Sequence, residues 1–559
     1  MLKFKSNVPH IDNELLDVVR SFTNACNINF CYDESYGVKI DIEGKSFAFD
    51  ILNCINDCKH ENRKLFVRQC KIALYKAMRE YFSCDLPWGS LTGIRPTKLV
   101  YEILKAGDTL EAVAKKLQAD YFVSKPKAQL AAQIAANQLK TVGPVNDSPP
   151  ANIKSQKLSC GKQDGRSLTD PTTNRQTKVL THNPCFLSSA HCSLYIHIPF
   201  CPTCCDYCSF VSVPVSKQKK LVAPYVEKLI AEINEAKKLI SQQKQKIHSI
   251  YIGGGTPTVL DNTLLEQVLK AVGADSKTEF TLEAGRPETL TQENLELMKQ
   301  YGVTRVSVNP QSLNNKTLQK IGRGHTAEDF YNGFNLVKKF GFIINVDLIA
   351  GLEGESLDDF LFTLNGIVFL EPHNITVHTL SVKRGSSLSG RSMTAPTGGI
   401  VGAVIDCPQI VTVMMGAEQQ AGTGSLFLEQ QQKINDGCIH KKRSLSPFAA
   451  KSNSASDMMD AAQTILTQNG YLPYYLYRQK NMRDNLENVG YTKKDFACIN
   501  NIIVMEEFLS VVACGAGAIS KRIFHHQNRI ERLANPKDVK MYIERLGDII
   551  AKQRKFFSN

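Results

Sequence analysis

From Leu194 onward, short apolar runs alternate with amphipathic stretches in strict order, and this alternation constrains the chain more than any other feature. The runs are LYIHIPF, HSIYIGGG, EFTLEAG, VTRVSVN, IINVDLIAGL and NITVHTLSV. Between them stand VAPYVEKLIAEINEAKKLI, NTLLEQVLKAVG, QENLELMKQYG, AEDFYNGFNLVKKFG and LDDFLFTLNGIVFL, each with helical spacing. Strands that alternate with helices build a parallel sheet through right-handed crossovers. The expected fold class is α/β, an open or partial barrel of six β/α units over residues 192–385. In such sheets functional groups gather at the carboxyl ends of the strands. Those ends carry Cys201, Gly253 to Gly255, Glu283, Asn309 and Gln311, Asp347, and His378. Each alone reads as a cap or a turn; six in one ring read as a site.

The flanks divide by composition. Residues 1–140 read as an N-terminal α/β domain. In it VKIDIEGKSFAFD forms a hairpin about a Glu-Gly turn, and Pro96 opens a helix in SLTGIRPTKLVYEIL. Residues 141–191 are polar, rich in Pro, Ser, Thr, Asn and Gln, and read as a linker. Residues 386–455 have no clear period and read as an insertion or poorly ordered segment. Residues 456–559 read as a mainly helical C-terminal domain with a GAGA turn.

Net charge is +13 over 559 residues, with the basic residues scattered, so charge alone selects no partner. Seventeen cysteines, irregularly spaced, argue against a secreted disulfide framework. The start, MLKFKSNVPHIDNELLDVV, lacks an apolar signal segment. The best membrane candidate, Gly398 to Ala417, is interrupted by Asp406, Pro408 and Gln409. A cytoplasmic location is the expectation, with no membrane partner.

CPTCCDYC, Cys201 to Cys208, admits two parses. Two abutting CxxC pairs lack the spacer that lets zinc knuckles face each other, and a redox CxxC has no use for a second pair beside it. CxxxCxxC, with Cys201, Cys205 and Cys208, lets one loop wrap three irons of a four-iron cluster and leaves one iron open. Spacing favours the second parse.

YIHIPFCPTCCDYC followed by YIGGGTPT resembles the radical S-adenosylmethionine (SAM) superfamily, and more narrowly the oxygen-independent coproporphyrinogen III oxidase group. VSVNPQSLNNKTLQKIGRGHT continues the match. LTGIRPTKL, ENVGY, IVMEEF and GAGAISK resemble a coproporphyrinogen dehydrogenase-like branch of that group. The resemblance implies Cys201, Cys205 and Cys208 as ligands of a [4Fe-4S] cluster. It implies Tyr195, Tyr207, Gly254, Gly255, Thr256, Glu283, Gln311, Arg323 and Asp347 around the cluster and SAM. It assigns no catalytic side chain beyond that cofactor site. Residues 386–455 and the long linker do not follow the family pattern.

The activity so implied is oxidative decarboxylation of coproporphyrinogen III to protoporphyrinogen IX in haem biosynthesis. An electron-donor protein feeds the cluster, and the 5′-deoxyadenosyl radical made from SAM takes a hydrogen from a propionate. Arg323, Lys383 and Arg384 are candidate grips for the substrate carboxylates. The alternative is a haem-binding or haem-transfer chaperone of the same branch. RNA modification draws only on the positive charge; no added RNA-binding motif supports it, and nucleic acid is not an expected partner.

Overall fold

Alternation of apolar and polar residues builds a first, small sheet. In the computed structural model, residues 2–23, 26–33, 37–50, 60–93, 95–143, 190–208, 212–381, 454–479, 482–527 and 529–558 are described. Strands β1 (Lys3–Ser6), β2 (Asn27–Asp33), β3 (Gly37–Ile42) and β4 (Lys45–Phe49) lie side by side in that order. β1 runs parallel to β2, and the rest are antiparallel. Glu43 and Gly44 both take positive φ, the conformation a two-residue hairpin turn needs. The inward residues Ile28, Phe30, Tyr32, Val38 and Ile40 pack on helices α1 (Asp12–Phe22) and α2 (His60–Phe82) as a core of their own.

Pro96 does open a helix, α3 (Pro96–Lys105), where its missing N–H costs nothing. With α4 (Leu110–Tyr121) and α5 (Lys125–Val142), this helix joins the core of the barrel and not that of the first sheet.

The six apolar runs form six parallel strands. They are β5 (His191–Ile198), β8 (Lys246–Gly254), β9 (Glu279–Glu283), β10 (Arg305–Ser307), β11 (Ile343–Ala350) and β12 (Asn374–Thr379). A short pair, β6 (Phe200–Cys201) and β7 (Val213–Pro214), brackets the cysteine loop. Helices α6 (Val215–Gln242), α7 (Asn262–Val272), α8 (Gln292–Gln300), α9 (Asn315–Lys320), α10 (Ala327–Lys339) and α11 (Leu357–Leu370) connect the strands. The strands are apolar along most of their length because helices cover one face and the core fills the other.

The C-terminal part carries the expected helices and, in addition, strands that the sequence did not show. It holds α12 (Ala455–Gln468), α13 (Ile499–Glu506), α14 (Val539–Glu544) and α15 (Leu546–Ser558), but also five strands. β13 (Leu472–Tyr477) and β14 (Asn488–Thr492) extend the sheet beyond β12, antiparallel to it. β15 (Ser510–Cys514) pairs parallel to β5, and β16 (Ile519–Phe524) and β17 (Arg529–Ala534) follow it. Among the described residues the sheet has eleven strands, in the order β13-β14-β12-β11-β10-β9-β8-β5-β15-β16-β17. The physical reason is that LSVVAC and LPYYLY are short buried runs, which periodicity cannot tell from helix. Lys383, Arg384, the Gly398 to Ala417 stretch, and nearly all of 141–191 and 386–455 lie outside the described residues. Among the described residues no helix is long and apolar enough to cross a membrane.

Buried charge fastens the outer parts to the barrel. Glu487, at the start of β14, accepts from Lys127 Nζ of α5 at 2.8 Å and from Trp88 Nε1 at 2.7 Å. The Lys127 and Glu487 side chains are only 5% and 1% exposed. On α6, Glu232 accepts from Gly515 N, Asn535 Nδ2, Tyr542 OH and Gln553 Nε2, all within 2.8 Å. A buried ion with every lone pair engaged is tolerated; one stripped of its partner is not. Lys127→Ala is therefore expected to destabilise the protein by about 3–5 kcal/mol, read as a lower urea midpoint, and Lys127→Met with Glu487→Leu to recover most of that loss.

Candidate active site

The site begins where β5 and β8 end. Their parallel ladder pairs His197 with Gly253 and Ile198 with Gly254. It then continues past the sheet: Gly255 N donates to the Ile198 carbonyl and Thr256 N to the Phe200 carbonyl, each at 2.7 Å. No side chain is tolerated here. Gly254 has φ +101, and a Cβ on it would lie 2.5 Å from the His197 ring. A Cβ on Gly255 would lie 2.5 Å from the Phe200 carbonyl oxygen, which is backbone and cannot move aside.

The cysteine loop is fastened at several points. Cys201 is buried, which pushes its thiol up to about 11, and Thr256 Oγ1 donates to its sulfur at 3.5 Å. Cys208 N donates to the Cys205 carbonyl at 3.1 Å, closing the CxxC turn. Cys208 Sγ lies 3.9 Å from Ser212 Oγ. Cys204 is exposed, whereas Cys205 and Cys208 are half-buried. Asp206 N donates to the Ile321 carbonyl at 3.1 Å, which ties the loop to the segment after β10. Among the described residues no three ligand-type side chains are drawn together closely enough to hold a metal ion.

Tyr207 and Arg323 meet directly. Arg323 Nε donates to the Tyr207 hydroxyl at 2.9 Å, and its Nη1 to the Gly285 carbonyl at 2.9 Å. Tyr207 packs on the small cluster of Leu318, Ile321, Ile349, Leu352 and Leu380. Arg323, expected as a grip for substrate carboxylate, is thus engaged within the protein.

Strands β9 and β11 supply two neighbouring carboxyls, Glu283 and Asp347. Burial, then the neighbouring Asp347, push Glu283 up to about 8, against hydrogen bonds from Tyr251 and Gly254. Burial also opposes ionisation of Asp347, but His378 and Asn345 more than compensate and hold it below the usual range. Asn345 Nδ2 donates to Asp347 Oδ1 at 2.9 Å, and His378 Nε2 lies 3.7 Å from Oδ2. Two neighbouring carboxyls are thus driven apart, one toward neutral and one charged. Gln311 bridges to Leu348 with a left-handed φ of 68°, and its buried Oε1 has no hydrogen-bond partner among the described residues. Such strain and such an orphan acceptor belong where a ligand completes the structure. The Tyr195 hydroxyl lies 3.1 Å from His197 Nδ1, and its ring stacks on Tyr251 at 6.2 Å.

Several residues here escaped the sequence reading. Arg286 reaches the cysteine loop, Tyr251 reaches Glu283, and Tyr477 of β13 lies 3.4 Å from His378 Nδ1. Arg286 carries the one signal that could have found it, a charged residue between Gly and Pro at a strand end. The others lie inside apolar runs where periodicity reads them as core.

The donor set fits a cysteine-ligated cluster with a polar ligand beside it: three thiols on one loop, a backbone cradle that admits no Cβ, and an orphan amide oxygen on the facing strand end. This arrangement is that of the radical SAM class, and the family profile described as the radical SAM superfamily matches residues 195–366. Within it the chain belongs to the family of the oxygen-independent coproporphyrinogen-III oxidase-like protein HemZ of Bacillus subtilis (strain 168). The two are 33% identical over 465 residues, 82% of this chain and 74% of that one. The heme chaperone HemW of Buchnera aphidicola subsp. Acyrthosiphon pisum (strain APS) is 31% identical over 253 residues, 44% of this chain and 64% of its own. The coproporphyrinogen III oxidase HemN from Escherichia coli is similar at 20% identity and a TM-score of 0.41, over 64% of this chain and 69% of that one. A [4Fe-4S] cluster and SAM are the cofactors of this class.

Glu283 gives a signed pH expectation. Its folded value of about 8 lies above the ordinary 4.5, so between these values the folded chain keeps a proton that the unfolded chain has lost. Its contribution to stability therefore falls as pH rises through that window. Glu283→Gln should flatten this part of the urea-midpoint profile of the ligand-free protein; an unchanged slope would contradict the raised value. Gly255→Ala should displace the Phe200 peptide and lose most of the iron the protein can take up on reconstitution.

Proposed function

We propose that this protein is a radical SAM oxidoreductase that decarboxylates two propionate side chains of coproporphyrinogen III, giving protoporphyrinogen IX. The observation that carries the reading is the likeness to the HemZ relative, which spans 82% of the chain and so includes both flanks of the barrel. The HemW likeness reaches only 44% of it. The cluster and SAM, when bound, supply one-electron reduction and hydrogen-atom abstraction.

Cys201, Cys205 and Cys208 would hold the cluster. Thr256, donating to Cys201, would help fix the orientation of that sulfur for the cluster. Gly254 and Gly255 keep the backbone free of side chains and would let SAM approach it. Asp347, held ionised, accepts from hydroxyl or ammonium groups. Gln311 Oε1 takes a donor from the same ligand. Glu283 supplies the second carboxyl, Tyr195 closes the floor, and Arg323 locks Tyr207 against the loop. Each propionate loses a hydrogen atom, carbon dioxide and one electron, which leaves to an acceptor; a one-electron donor protein serves the cluster.

The second reading, a haem-transfer protein, draws on the HemW likeness. The test is anaerobic reconstitution with iron and sulfide, then incubation with SAM, a reductant and coproporphyrinogen III. Expected are 5′-deoxyadenosine and protoporphyrinogen IX by chromatography. Stoichiometric haem retention without decarboxylation would favour the second reading. Cys201→Ala, Cys205→Ala and Cys208→Ala should each abolish 5′-deoxyadenosine formation, while Cys204→Ala should leave it within about twofold of wild type.

A further inference from the structure

Two arginines flank the cysteine loop, and the roles above use only Arg323. Arg286 follows β9, between Gly285 and Pro287, and is buried. Its Nη2 donates to the loop: to the Thr203 carbonyl at 2.9 Å, to Thr203 Oγ1 at 2.8 Å and to Cys205 Sγ at 3.1 Å. Its Nη1 has no hydrogen bond among the described residues and faces Glu288 Oε1 at 3.5 Å. Glu288 in turn faces His325 Nδ1 at 3.4 Å. The guanidinium is therefore held from behind, by a counter-charge on one nitrogen and the loop on the other.

The Thr203 contacts would suffice to clamp the loop. The contact to sulfur does something more, because an N–H directed at a cysteine that ligates a cluster, and a fixed positive charge beside it, stabilise added negative charge. A buried site weakens that interaction far less than water would. We propose that Arg286 is a positioning residue that raises the reduction potential of the bound cluster through Cys205, and that Glu288 moderates it. The inference rests on the reading of Cys205 as a cluster ligand. The electron step is simple: the cluster gains one electron, a reduced viologen loses one, and no bond between heavy atoms forms or breaks.

The experiment is a potentiometric titration of the full-length, reconstituted protein without SAM, followed by electron paramagnetic resonance, with dithionite and viologen mediators. Iron and sulfide are counted for every variant. Arg286→Gln removes the charge and should titrate at a more negative potential than wild type. Glu288→Gln removes the counter-charge and should titrate at a more positive one. Full iron content with both potentials unchanged, or both moved in one direction, would overturn the inference. If Arg286→Gln fails to retain iron, Glu288→Gln decides alone: a positive shift supports the proposal, and no shift reduces Arg286 to a loop clamp. A wild-type chain that takes up no four-iron cluster would instead sink the ligand reading itself.

Discussion

Two backbone hydrogen bonds, from Gly255 and Thr256 to the carbonyls of Ile198 and Phe200, carry the β5–β8 ladder beyond the sheet and into the cysteine loop. The rest of the site hangs on this continuation. It sets how close two strand ends come, and that closeness forbids a Cβ at Gly254 and Gly255. It also brings Thr256 to the sulfur of Cys201. A loop that would otherwise move freely is thereby registered against a rigid sheet, the condition for holding ligands in a fixed geometry.

Around this seam charged side chains of both signs are held by named partners. Arg286 and Arg323 bind the cysteine loop, one through Thr203 and Cys205 and the other through Tyr207. Glu283 on β9 and Asp347 on β11 influence each other, and their environments separate them into a near-neutral and an ionised carboxyl. A site that must hold a thiolate-ligated cluster beside a cationic sulfonium ligand needs both signs within a short distance. Burial makes each of these interactions count more than it would at the surface.

Much of this could be read from the sequence, for identifiable reasons. The six strands are short β-branched runs separated by helices long enough for periodicity to show, so their order dictates the parallel sheet. The Glu43–Gly44 turn and the Pro96 helix start follow from local backbone chemistry. The C-terminal strands were hidden because VMEEFLSVVAC mixes good helix formers with β-branched residues in one run. α13 stops at Glu506, and β15 starts at Ser510. Arg286 was hidden for another reason. Its partner Cys205 lies 81 residues earlier in the chain, and no local pattern encodes such a contact.

The two edges of the barrel sheet are closed by the last part of the chain, with β14 against β12 and β15 against β5. During synthesis, then, every cysteine of the loop leaves the ribosome while β5 is still an open edge. Unpaired parallel strands are slow to form and prone to pair with other chains. Gly515, whose missing Cβ would lie 2.4 Å from the His197 carbonyl, arrives at the site only after β15 has been made. Chain termination anywhere before that point would leave a nascent protein with its thiols in place and its first strand exposed. The order of translation thus pairs the outer edge of β5 last, and makes the interval before β15 emerges the period of greatest risk from aggregation.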